Sequence, residues 1–174
     1  YTNEGVLTLS TLADASTSQK YYDTNEGDSK RLNVANEDGL LKAKQSLLLF
    51  DLSYVAKTLP VVSLAKLRIY CVVGSESGAA GIVLKKMAST NFTEYDVSWS
   101  TMPGGDGQDE PVVAFVDTLE SNQWYDIDVT AAVLDALKNQ ESYLGLRLTT
   151  DGSDSIDVYF GSKERLNEPP TLIV

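Results

Sequence analysis

Leu64-Ala65-Lys66-Leu67-Arg68-Ile69-Tyr70-Cys71-Val72-Val73 reads as a β-strand. Period-two alternation puts Leu67, Ile69 and Cys71 on one face and Lys66, Arg68 and Tyr70 on the other. A Gly- and Ser-rich turn at 74–81 ends the run, and the same grammar extends in both directions from it. Residues 6–12 alternate, as do 31–35, where Leu32 and Val34 share a face. Residues 46–52 form a denser apolar strand. Segments 82–87, 112–116, 124–129, 144–149, 155–160 and 171–174 bring the total to about ten. Short strands separated by turn clusters predict an all-β chain, a jelly-roll β-sandwich of two antiparallel sheets. One segment breaks the rhythm. After Thr130, the residues Ala131, Val133, Leu134 and Leu137 are spaced for one short amphipathic helix, with Thr130 or Asp128 near its N-cap. The Gly- and Asp-rich loop 102–111 is expected to be exposed and mobile, and the acidic run 151–157 reads as a solvated hairpin turn.

The chain has 174 residues, enough for a single domain spanning 1–174 with a sizeable core. Its net charge is −11 and it contains no histidine. Such acidity disfavours nucleic acid and anionic membranes as partners. No apolar run approaches the ~20 residues of a membrane span. The chain opens on Tyr1 with no leader-like stretch, as expected of a processed protein or a piece of a longer one. The single cysteine, Cys71, excludes an intrachain disulfide and reads as a small buried hydrophobe. A catalytic thiolate would need a neighbouring base, and no histidine is present to supply it.

Three chemistries merit weighing. For catalysis, a glycosidase needs two carboxylates roughly 5–10 Å apart, and Glu94 and Glu164 are the best-placed pair. Their alternative roles are bonds to loop backbone or pairing with Lys163 or Arg165. For metal, Asp23, Asn25 and Asp28 in D-T-N-E-G-D offer oxygens at a glycine-containing turn, with Asp14 as a further ligand from the first strand. Calcium takes six to eight such oxygens. The alternative is an Asx-turn in which Asn25 caps backbone amides. For glycan binding, aromatic faces must stack on sugar C–H surfaces, and cations must meet any sugar carboxylates. Alternation places Arg31, Lys66, Arg68, Tyr70, Lys85, Arg147, Tyr159 and Lys163 outward, and convergence of several on one sheet would make a site. Outward cations also decorate the solvent face of any sheet. Trp99 is expected in a core beneath a loop, whereas Trp124 fits either core or platform.

The order of motifs also carries a resemblance. Asp14 in an A-D-A step is followed by Asp23-Thr24-Asn25-Glu26-Gly27, Arg31-Leu32-Asn33-Val34 and Ser46-Leu47-Leu48-Leu49-Phe50-Asp51. Then come Ala65-Lys66-Leu67-Arg68-Ile69-Tyr70, Asn91-Phe92-Thr93-Glu94, Val97-Ser98-Trp99, Trp124-Tyr125, Ser162-Lys163-Glu164 and Pro169-Pro170-Thr171-Leu172. Over about residues 7–174 this resembles the DNRLRE-type domains, which include alginate-binding carbohydrate-binding modules. Members often carry Arg where this chain has Leu49 and Lys163, and Trp where it has Phe92. The resemblance implies a secreted, non-catalytic β-sandwich that binds an acidic polysaccharide, alginate first, and targets a tethered catalytic domain to it. The rival readings are a structural or adhesive extracellular spacer and an enzyme, either a Tyr-based lyase or a carboxylate-pair hydrolase.

Overall fold

A computed structural model describes residues 5–36, 43–59, 61–75, 81–151 and 155–174. The strands are β1 (Thr8–Ser10), β2 (Ala13–Ser18), β3 (Arg31–Asn36), β4 (Lys44–Asp51), β5 (Lys66–Val73), β6 (Ile82–Lys86), β7 (Val112–Val116), β8 (Gln123–Asp128), β9 (Tyr143–Thr149), β10 (Ile156–Gly161) and β11 (Thr171–Ile173). The helices are α1 (Ser53–Thr58) and α2 (Thr130–Lys138), and a 3-10 turn spans Trp99–Thr101. Each strand expected from alternation is present. β2 and α1 are additions to that expectation, giving two short helices among the described residues. The predicted turns at 74–81 and 151–157 fall in part outside the described residues.

All pairings are antiparallel, and two halves can be traced. In the first, β8 pairs β5, and β5 pairs β10 and β11 along its other edge. β10 then pairs β3, and β11 pairs β1. The second half runs β2–β4–β9–β6–β7. Among the described residues a single pair, Ala35 with Lys44, joins the halves into one hydrogen-bonded sheet. The core shows how the halves lie. Leu32, Val34, Leu67, Ile69, Cys71, Val158 and Phe160 of the first pack with Leu48, Phe50, Ile82, Leu84, Leu144, Leu146 and Leu148 of the second. The alternation read from β5 is therefore the alternation of a two-layer sandwich. Cys71 is fully buried, and burial pushes its thiol up to about 11, as fits a packing residue.

The two outer faces differ, and the difference positions the site. Over the second half, Ala15, Leu47, Met87, Val97 and Met102 form a second apolar cluster, with Phe92 and Trp99 packed against it. The segment 88–111 thus covers that face. Leu49 and Leu47 lie beneath the cover, which is why β4 is buried on both faces. Leu49, where members of the resembled family often carry Arg, is 7% exposed. Over the first half the outer face carries exposed Arg31, Arg68 and Trp124.

α2 begins where its spacing predicts. Asp128 Oδ1 accepts the Thr130 N–H at 2.9 Å and the Thr130 hydroxyl at 2.6 Å, satisfying a donor of the first turn. Ala132, Val133 and Ala136 are its buried side. Among the described residues, no helix is long and apolar enough to cross a membrane.

Candidate functional site

The open face gathers residues that are distant in sequence. Strand register sets Tyr70 opposite Trp124 and Arg68 opposite Asp126 across β5 and β8. The Tyr70 and Trp124 rings meet edge to face, centroids 5.2 Å apart. The Arg68 guanidinium lies 5.4 Å from the Trp124 ring centroid. Farther along, Arg31 on β3 lies opposite Gly161 on β10 and stacks at 4.7 Å on Tyr159. Between these two groups sits Arg165, 5.9 Å from the Tyr70 ring. Its place depends on Gly161: a Cβ there would lie 3.0 Å from Arg165 Cδ and 2.9 Å from the Glu168 carbonyl. The bare backbone lets the Arg165 side chain lie on the sheet.

The result is a strip across four strands, Arg31–Arg165–Tyr70–Trp124, flanked by Tyr159 and Arg68. Arg68 is held by Asp126 at 3.6 Å and Arg165 by Glu168, both through Nε. Each of these guanidinium groups thus has an acidic partner at its Nε. Lys66 lies at the margin, opposite Asp128. Aromatic faces beside oriented forks suit a sugar ring that carries hydroxyls or a carboxylate.

The model of carbohydrate-binding module family 96 matches residues 6–174. The chain belongs to that family. No curated protein matches the sequence significantly.

Five of the eight residues expected to contact ligand thus share one face of the module: Arg31, Lys66, Arg68, Tyr70 and Tyr159. The other three do not. Lys85 is on the second half, where its Nζ donates to the Gly107 carbonyl at 2.9 Å; it lines a separate cleft with Trp99, Gln45 and Thr149. Arg147 is corrected outright. Alternation does point it away from the core, but the loop 102–111 closes over it, and its side chain is 0% exposed. Its Nε donates to Glu110 Oε1 at 2.6 Å, Nη1 to Gln45 Oε1 and the Gly105 carbonyl, and Nη2 to the Pro103 carbonyl. Gly107 is required beside it, with φ +71° and a would-be Cβ only 2.4 Å from Arg147 Nε. The loop expected to be mobile is instead pegged to β9 by a buried ion pair. Lys163, in the turn after β10, pairs with Glu94 at 2.9 Å and Glu164 at 2.7 Å and lines a surface cleft with Arg165 and Glu168. These bonds, Glu164 first, hold its ammonium well above the usual lysine range.

The expected metal set also divides. Asn25 Nδ2 donates to the Glu94 and Val97 carbonyls, each at 2.7 Å, and Asn25 Oδ1 accepts the Gly27 N–H. This is the Asx-turn alternative. Asp23 is exposed and accepts the Ser100 hydroxyl at 2.8 Å, and Asp28 is exposed on the same segment. Only Asp14 lies in an acidic cluster. Its neighbours are Glu94 and Glu164, each offering an oxygen within 4.8 Å of the others. Asn25 serves this cluster indirectly by fixing the backbone that carries Glu94. Asn25→Ala removes all three side-chain bonds and is expected to cost about 1–3 kcal/mol, read as a lower midpoint in urea unfolding with an unchanged slope.

Sequence reading missed Arg165 as a site residue and left Trp124 undecided. A signal for Arg165 was available: Gly161 stands at an outward position at the end of a strand, where it marks a close approach of another segment.

Proposed function

We propose that the strip on the outer face of β3, β10, β5 and β8 binds an acidic polysaccharide, alginate in the first instance, as a non-catalytic module. The observation that carries this reading is the row Arg31–Arg165–Tyr70–Trp124 on the open face. Trp124 and Tyr70 supply ring faces for sugar C–H surfaces, and the Nη groups of Arg31 and Arg165 meet uronate carboxylates. Because Arg68 and Arg165 already carry acidic partners, the ligand senses a local field far weaker than a bare row of arginines would give. Binding is therefore expected to weaken with salt, but only moderately.

In this reading the module is secreted and joined to a polysaccharide-degrading catalytic domain. It raises the local concentration of substrate for that domain through effective concentration, with no chemistry of its own. Isothermal titration against alginate, pectin and a neutral glucan at about 50 mM and about 500 mM salt tests the assignment. Alginate should bind, and several-fold more weakly at the higher salt. A neutral glucan binding as well as alginate, with no salt effect, would remove the acidic ligand from the proposal. Binding by none of the three would favour a spacer or adhesive role.

A further inference from the structure

We propose that Asp14, Glu94 and Glu164 form a calcium site that ties β2 to the 88–98 segment and to the turn after β10. Asp14 is fully buried on β2, a strand with both faces covered. Its Oδ2 accepts the Lys163 N–H at 2.7 Å, while Oδ1 is buried with no hydrogen-bond partner. Glu94 is 8% exposed, and its Oε1 likewise has no aligned donor, although Lys163 Nζ lies 2.9 Å away. Leaving the Asp14 Oδ1 oxygen buried and unsatisfied is costly, and native proteins ordinarily supply a partner.

Charge points to what that partner is. Three carboxylates against one lysine leave a net −2 in a largely dehydrated place, and one divalent cation balances it. The donors are all oxygens, which suits calcium or magnesium rather than a soft metal. Calcium accepts irregular geometry at about 2.3–2.6 Å, so two ligands can stand about 4.8 Å apart across it. Magnesium at about 2.0–2.1 Å demands a tighter, near-octahedral set. The Lys163 side chain is 25% exposed, so its ammonium can withdraw toward solvent as the ion enters. Backbone bonds place the cluster firmly. Asn25 holds the Glu94 and Val97 carbonyls, and Ser162 N donates to the Lys30 carbonyl at 3.3 Å.

The test is titration of EDTA-treated protein with calcium chloride, by calorimetry and by thermal unfolding. One saturable site with a dissociation constant of about 0.1–1 mM is expected, with a melting temperature raised by about 3 °C or more at saturating calcium. Asp14→Asn keeps an acceptor for the Lys163 N–H but removes a charge. It should abolish both effects while leaving the metal-free protein no less stable than wild type. If that variant folds poorly, Glu164→Gln, at a more exposed position, should weaken calcium binding at least tenfold. No heat and no thermal shift with calcium would overturn the site. An equal shift with magnesium would overturn the choice of calcium, and calcium binding unchanged in both variants would overturn the ligand set.

Discussion

Arg147→Met is expected to lower the melting temperature by about 6–20 °C while leaving polysaccharide affinity unchanged at temperatures where the variant is folded. Arg147 and Glu110 are both buried, at 0% and 4% side-chain exposure, with Nε and Oε1 2.6 Å apart. Removing one partner of such a pair costs about 3–5 kcal/mol, because the other charge is left uncompensated. For a domain of this size that corresponds to the stated loss in melting temperature. The substitution also frees the Pro103 and Gly105 carbonyls and the Gln45 amide oxygen, which the guanidinium now satisfies. Glu110 Oε2 would still accept the Ala88 N–H, so the carboxylate would stay in place without its counter-ion. Pairing the change with Glu110→Gln should recover a large part of the loss, since no buried charge then remains. Differential scanning calorimetry of the single and double variants measures both. A melting temperature that does not move, together with lost glycan binding, would restore Arg147 to the surface role that alternation suggested.

Trp124→Ala should weaken polysaccharide binding by about tenfold or more with a small effect on stability. Trp124 is 40% exposed, on a strand that among the described residues pairs with β5, and its ring meets Tyr70 and Arg68. The edge-to-face contact with Tyr70 contributes about 0.5–1.5 kcal/mol to the fold. Against a ligand, a rigid aromatic anchor at the end of a row carries a disproportionate share of the energy, about 2 kcal/mol for a typical hot spot. Each 1.4 kcal/mol is about tenfold in affinity. Arg31→Ala, at the opposite end, should weaken binding and flatten its salt dependence as well, because it removes a charge. Titration calorimetry at two salt concentrations separates the two effects. Full affinity in Trp124→Ala would move the glycan off this face.

The sandwich was legible because β5, β9 and β10 alternate cleanly around a shared core. β2 was not. Ala-Asp-Ala-Ser-Thr-Ser contains no large apolar residue, yet every residue of it is buried, because the covering segment packs on Ala15 and the Ser162–Glu164 turn caps Asp14. That burial is a tertiary fact with no local periodicity. The same covering segment explains Arg147 and Leu49. Alternation tells which side of a sheet a residue takes, and it cannot tell whether a loop lies over that side. Here the anchor is Glu110, 37 residues before Arg147. The D-T-N-E-G-D turn reads as a calcium candidate because its side-chain oxygens lie close together in sequence. The structure uses that turn to brace backbone and assembles its acidic cluster from β2, the segment after β6 and the turn after β10. Most of the strip, by contrast, follows from strand alternation, since Arg31, Arg68, Tyr70 and Tyr159 all lie outward on neighbouring strands.

The most direct test of the account maps backbone amide and indole N–H shifts by NMR while alginate oligosaccharide is added. The strip predicts that the Trp124 indole and the amides around Arg68–Tyr70, Tyr159–Gly161 and Arg165 shift together and saturate at one affinity. Shifts confined to Lys85, Trp99 and Thr149, in the cleft of the covered face, would contradict it.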